Sequence, residues 1–273
     1  MEWKVTKQVM VSALVVAFLE ASGWASEPNS MAVDLGGGVN LELVWIPPGG
    51  FDMGSDGYMD NEKPLHKVLF ERGFWMGKCE VTQEQWERVM GDNPAYFKGA
   101  RNPVEQVSWD DAQAFIKRLN KQLKTATPKL GFKLPSEAEW EYACRAGTTT
   151  AFHFGESLNS NLANFNGKFP AGHGEKGDDR QKTVEVGSFE PNEWGLFDLY
   201  GNVWEWCEDV YHENYVGAPT DGGAWLAPAG SCRIVRGGAW ITTAQCCLSS
   251  HRVWLVSGSR RNTLGLRVVG LPR

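Results

Sequence analysis

The run Gly201-Asn202-Val203-Trp204-Glu205-Trp206, read with Arg236-Gly237-Gly238-Ala239-Trp240 and Gly265-Leu266-Arg267, decides the fold of this chain. These segments belong to a C-terminal half, residues 145–273, that is rich in Gly, Asn, Asp, Ser and Trp and poor in long periodic runs. Such composition predicts short strands joined by ordered loops. The N-terminal half reads differently. Thr82-Gln83-Glu84-Gln85, Ser108 with Asp111, and Ser136-Glu137-Ala138-Glu139 carry helix-capping patterns, in which a hydroxyl takes the backbone N–H three residues on. Behind Ser108, the residues Ala112, Phe115, Ile116, Leu119 and Leu123 recur on one helical face. Leu41 to Ile46 predicts a strand closed by Pro47-Pro48-Gly49-Gly50, with further extended pieces at 51–54 and 67–70. The class is therefore α+β, with few short strands and helices and much irregular structure.

At 273 residues the chain suits one domain. Residues 1–26 read as a signal peptide: Lys4 and Lys7 precede the apolar run Val9 to Leu19, and Gly23-Trp24-Ala25 offers small residues for cleavage. That run is short for a membrane span and Glu20 interrupts it, so no transmembrane span is expected after cleavage. A secreted or periplasmic location follows. Residues 27–40 read as a linker and 41–273 as the domain. Cleavage removes two Lys and two Glu and leaves the net charge at −6, which argues against nucleic-acid binding. The 13 Trp residues stand mostly one per segment, a spacing that favours core anchors over a ligand-gripping surface. Six cysteines show no zinc spacing, and the five histidines are scattered without a His-x-x-x-His pair.

The ordered landmarks resemble the formylglycine-generating enzyme, or sulfatase-modifying factor, family. They run from Phe51, Met53 and Gly54 through Glu80-Val81-Thr82, Pro103 to Trp109, Leu134 to Tyr142 and Gly195 to Leu199, and end in the segments quoted first. The resemblance spans about Val44 to Val269 and implies a variant of the C-type lectin fold. Catalytic relatives are copper oxidases that convert a sulfatase cysteine to formylglycine. Counting without gaps from Gly237, their Ser falls on Ala239, their first copper cysteine on Thr242 and their second on Cys247. A hydroxyl is a hard ligand and a poor one for Cu(I), so copper is not expected and Cys247 is the sole remaining catalytic candidate. Cys246 would serve only with a different loop path, because neighbours on an extended strand point apart.

The resemblance also implies a Cys144–Cys247 disulfide, which would close a loop of about 100 residues and add on the order of 4 kcal/mol. It implies calcium at Asp198, Gly201, Val203 and Glu205, and a second site at Asn164, Phe165 and Asp178. Carboxylates and backbone carbonyls are the hard oxygens that calcium takes. The function implied is an exported, non-copper binding or accessory module whose ligand-facing segment includes Trp240, Ile241, Thr242, Thr243, Trp254 and Leu255. Its partner would be a protein or carbohydrate in the envelope or outside. Retroelement-diversified variable proteins share the fold and a similar Arg-Gly-Gly-x-Trp segment. The alternative is a formylglycine-generating oxidase with a sulfatase as partner.

Overall fold

The computed structural model of the protein describes residues 30–124 and 129–272. The first sheet is five-stranded and antiparallel. Its order is β1 (Ser30–Asp34), β2 (Asn40–Ile46), β5 (Phe74–Gly77), β11 (Val269–Pro272) and β6 (Leu130–Lys133). The last strand therefore sits between two strands from the first half, and the end of the chain locks its beginning. The second sheet has the order β10 (Leu264–Gly265), β7 (Trp204–Val210), β8 (Cys232–Arg236) and β9 (Val253–Val256). Here β10 pairs parallel to β7 and the other pairs are antiparallel. A hairpin of β3 (Gly49–Met53) and β4 (His66–Phe70) completes the strands.

Residues 27–40 were expected to form a linker, but Ser30–Asp34 is strand β1, registered against Asn40 to Val44. The turn at Gly36-Gly37-Gly38 explains the difference. All three glycines have positive φ, and Arg88 Nε donates to the Leu35 carbonyl at 3.0 Å, so the turn is pinned onto the domain. Val33 and Leu35 enter the core from it. The expected signal segment lies outside the described residues.

Among the described residues the α-helices are α1 (Gln83–Met90), α2 (Trp109–Gln122) and α3 (Glu137–Arg145), each opened by a complete capping box at Thr82, Ser108 or Ser136. The predicted apolar face of α2 is buried in full, and Trp86 of α1 stacks on Phe115 at 5.1 Å. Each such burial contributes roughly 1.5–3 kcal/mol. One core cluster lies around α1 and α2 with Trp75 and Trp206; the other surrounds α3 with Phe152, Phe165 and Leu196. Most of the tryptophans anchor this frame. The indole N–H groups of Trp109, Trp140 and Trp206 donate to Cys207 O, Glu205 and Val107 O at 3.0, 2.7 and 3.0 Å.

Every residue of α3 is buried, including Glu137, Glu139, Glu141 and Arg145. Arg252 clamps Glu137 with two bonds of 2.7 Å, Arg236 and Arg145 share Glu141, and Lys133 pairs with Glu139. Charged groups at such depth persist only when paired. These pairs join α3 to β8 and to the segment before β9, and so position the C-terminal loops.

Candidate functional site

The site is built on the turn that leaves β8. Gly237 and Gly238 both have positive φ, and a Cβ on Gly238 would stand 2.5 Å from Cys247 Sγ. Only glycine lets the chain double back this tightly over the thiol. The Thr242 hydroxyl then fills the turn: it accepts from Ala239 N–H at 3.0 Å and donates to Ala239 O at 2.9 Å. It also lies 3.7 Å from Cys247 Sγ. The two positions that gap-free counting equates with the copper cysteines are thus neighbours in space.

Cys247 is fully buried, and burial pushes its thiol up to about 12. Cys144 is equally buried and burial pushes it to about 11. The two thiols feel each other electrostatically, yet the expected Cys144–Cys247 bridge is not formed, and all six cysteines are free. Cys144 instead hydrogen-bonds with Tyr200 and Ser249, and Tyr200 and Ser249 share a 3.1 Å bond of their own. Cys246 and Cys247 lie in a 3-10 turn, Ala244–Cys247, rather than on extended backbone. They still part company: Cys247 faces the core and Cys246 remains partly exposed.

The expected ligand-facing segment divides in two. Ile241 is 54% exposed and Trp254 45% exposed, with Thr242 and Thr243 between buried and exposed. Trp240 is only 8% exposed; its indole donates to Asn262 O at 3.0 Å and meets the Phe97 edge at 5.4 Å. Leu255 packs against the core. Trp240 and Leu255 therefore support the surface from behind, because an indole N–H that finds a backbone carbonyl inside stays inside. Tyr96, 66% exposed, continues the aromatic line through Phe97 and was not foreseen. Its only sequence signal is two adjacent aromatics in a loop with no periodicity.

The carboxylate-rich turn is the second part of the site. Asp198 and Asn202 hold positive φ around Gly201, where a Cβ would run into the Asn164 carbonyl oxygen. A parallel bridge pairs Asn164 with Gly201, so the two candidate calcium groups adjoin. Glu205 is held by Arg267 and by Trp140 Nε1. Glu80, a residue read only as a landmark, accepts from Asn202 Nδ2 and Val203 N–H and faces Asp198 and Glu205 electrostatically. Burial, then the Asp198 and Glu205 charges, push Glu80 well above the usual carboxylate range. Burial likewise raises Asp198 to about 6 against the opposing Gly187 N–H and Arg267.

Calcium fits these residues on one specific ground. Asp198 Oδ1 and Asn164 Oδ1 are both buried with no hydrogen-bond partner. The Asn164 amide is oriented by its Nδ2, which donates to Lys182 O and Asn202 Oδ1 at 3.0 Å each. An unpartnered buried oxygen is costly, and a hard cation relieves it. Phe165 is buried beside Asn164, whereas Asp178 is exposed and its backbone bonds to Ser160 and Gly167.

Fold and site together define an α+β protein of the C-type-lectin-like kind, with a glycine-pinned C-terminal turn and a buried carboxylate cluster. A family model described as the sulfatase-modifying factor enzyme 1-like domain matches residues 39–271, and the chain belongs to this family. It is 29% identical to a chaperone protein LppX of Paenibacillus barcinonensis, over 95% of this chain and 98% of that one. It is 31% identical to the formylglycine-generating enzyme of Mus musculus over 67% of this chain, but spans only 46% of that enzyme. The solved structure of Treponema denticola variable protein 1 superposes with a TM-score of 0.76 at 29% identity, covering 90% of this chain and all of that one.

Proposed function

We propose that this chain is an exported, non-copper member of its family that acts as a binding or accessory module, with calcium as its structural ion. One observation carries the reading. The group beside Cys247 is the Thr242 hydroxyl, already engaged at both ends by Ala239. A thiol held near 12 next to a hydroxyl is a poor Cu(I) site, since that ion takes soft thiolates. Partner contact falls to the exposed Ile241 and Trp254 and the half-buried Thr243, with the exposed Tyr96 joined through Phe97 to Trp240. The partner is a protein or carbohydrate outside the cytoplasm. The near end-to-end likeness to a protein named as a chaperone supports an accessory role. Asp198 and Glu205 carboxylates, with the Gly201 and Val203 carbonyls, would hold one calcium; Asn164 and the Phe165 carbonyl, with Asp178, a second.

The test is direct. The purified chain is incubated with copper, oxygen and a Cys-x-Pro-x-Arg peptide, and the peptide is followed by mass and aldehyde reactivity. No conversion and no stoichiometric Cu(I) uptake are expected. Formylglycine in the peptide would overturn the reading and install the oxidase, with a sulfatase as partner.

A further inference from the structure

The hairpin of β3 and β4 has one closed edge and one open edge. On the β4 side, Leu69 N–H donates to Thr220 O at 2.9 Å, away from β3. Leu69 is registered against Gly50, so this pair exchanges no ladder bonds and the Gly50 N–H and C=O point outward from the other edge. The alternation of an antiparallel pair turns Asp52, and Gly54 just past β3, outward in the same way. Gly54 bears this out: its N–H donates to Glu141 Oε1 at 3.0 Å and its C=O accepts from Arg145 Nη2 at 3.3 Å. Helix α3 therefore fills this edge at Gly54. Beyond the other end of β3, Tyr142 Oη donates to Pro47 O at 3.1 Å. Between these two points Gly50 and Asp52 line a cavity of about 750 Å3, and their outward groups open on it.

The cavity runs past the strand edge rather than over one face. Phe51 and Val68 line it from the side of the hairpin that packs on Tyr142, and Leu69 and Lys67 line it from the opposite side. Its far wall is Gly147 to Thr149, just past the end of α3. The walls are largely apolar: the Phe51 and Tyr142 rings lie 5.3 Å apart, and Leu65 and Leu69 are exposed. Charge at the rim cancels, because Lys67 Nζ pairs with Asp52 Oδ1 at 3.0 Å and Arg145 pairs with Glu141 at 2.8 Å. Backbone donors and acceptors in a row, set between apolar walls without net charge, complement an extended backbone with apolar side chains.

We propose that the open edge of β3 is a docking site for an extended, uncharged segment of a partner polypeptide, which adds to the β3–β4 hairpin as a further strand. Its backbone exchanges bonds with the N–H and C=O of Gly50 and Asp52. Every second side chain enters the cavity beside Phe51, Tyr142 and Leu69. The site shares no residue with the C-terminal surface of Ile241, Thr243 and Trp254, so it goes beyond the binding role proposed above and stands or falls separately from it.

The experiment follows single-amide hydrogen exchange by NMR in the full chain, with synthetic peptides of about seven residues in which Thr alternates with Val, Leu or Phe. With at least one of them at about 1 mM, exchange at Gly50 and Asp52 slows about tenfold or more, while Trp254 on β9 is unchanged. The same peptide N-methylated throughout, and so without donors, gives no protection. Gly50→Pro deletes one outward N–H and no ladder bond, and weakens binding about tenfold. Leu69→Ser, at an exposed position, weakens it about fivefold. No protection of Gly50 and Asp52 by any of the peptides, equal protection by the N-methylated one, or unchanged affinity in Leu69→Ser would overturn the proposal. So would a chain that is dimeric with both amides protected before peptide is added, because a second copy then holds the edge. If Gly50→Pro does not fold, Leu69→Ser and the N-methylated peptide decide.

Discussion

Two buried clusters of charge are balanced differently. Around α3, the carboxylates of Glu137 and Glu141 meet the guanidinium groups of Arg145, Arg236 and Arg252. Around Gly201, the carboxylates of Glu80, Asp198 and Glu205 meet, among the described residues, Arg267. The acids answer accordingly. Burial pushes Glu141 up, but Arg145 and Arg236 outweigh it and hold it below its usual value, whereas Glu80 and Asp198 rise. A matched cluster is scaffold. An acid-rich one leaves its acids raised and an Asp198 oxygen unpartnered.

The comparison breaks most visibly at the matched end. Arg236→Met removes the partner of one Glu141 oxygen, leaves Arg145 on the other, and costs about 3–5 kcal/mol in denaturant unfolding; a loss below about 1 kcal/mol would mean that the cluster does not bear on stability. The matched cluster also has an acid that no arginine pairs with among the described residues. Asp209 accepts from Glu137 N–H and Trp225 N–H, while burial and then the Glu137 charge raise it to about 7. A carboxyl raised in the folded state contributes stability fully present below about pH 4 and lost as pH rises through about 7. Relative to wild type, Asp209→Asn removes a decline of about 3–4 kcal/mol over that window, seen in unfolding series at stepped pH.

At the acid-rich end, calcium at about a hundred times its dissociation constant stabilises the chain by about 2.7 kcal/mol. Thermal melts with calcium and with chelator would show this as a rise of several degrees. Asp198→Asn abolishes the rise; an equal rise in the variant would move the ion elsewhere. Gly238→Ala, forced against Cys247 Sγ at a positive φ, costs about 1–3 kcal/mol. Trp254→Ala, on the open strand β9, changes stability by no more than about 0.5 kcal/mol while it weakens partner capture.

Much of the fold was legible because it is local. The three capping boxes, the α2 face and the strands at 40–46, 49–53 and 66–70 each rest on a few adjacent residues. The ordered landmarks carried the family. Other readings of the sequence meet distant contacts that it does not record. Ser30–Asp34 reads as linker until Arg88 pins its turn. Trp240 reads as ligand surface until Asn262 and Phe97 claim it. Cys144 and Cys247 read as a disulfide until Thr242 and Tyr200 occupy their sulfurs.

By itself, the sequence determined the family and the helix starts. Caps, turns and motifs are short-range and survive as text. Only the tertiary structure decided which buried acids are matched and which are left over. It also decided which of two adjacent cysteines is shut in the core and which stays partly exposed. The charge state of a buried group depends on partners far away in sequence, as that of Glu80 does on Arg267, and no local pattern records that neighbourhood.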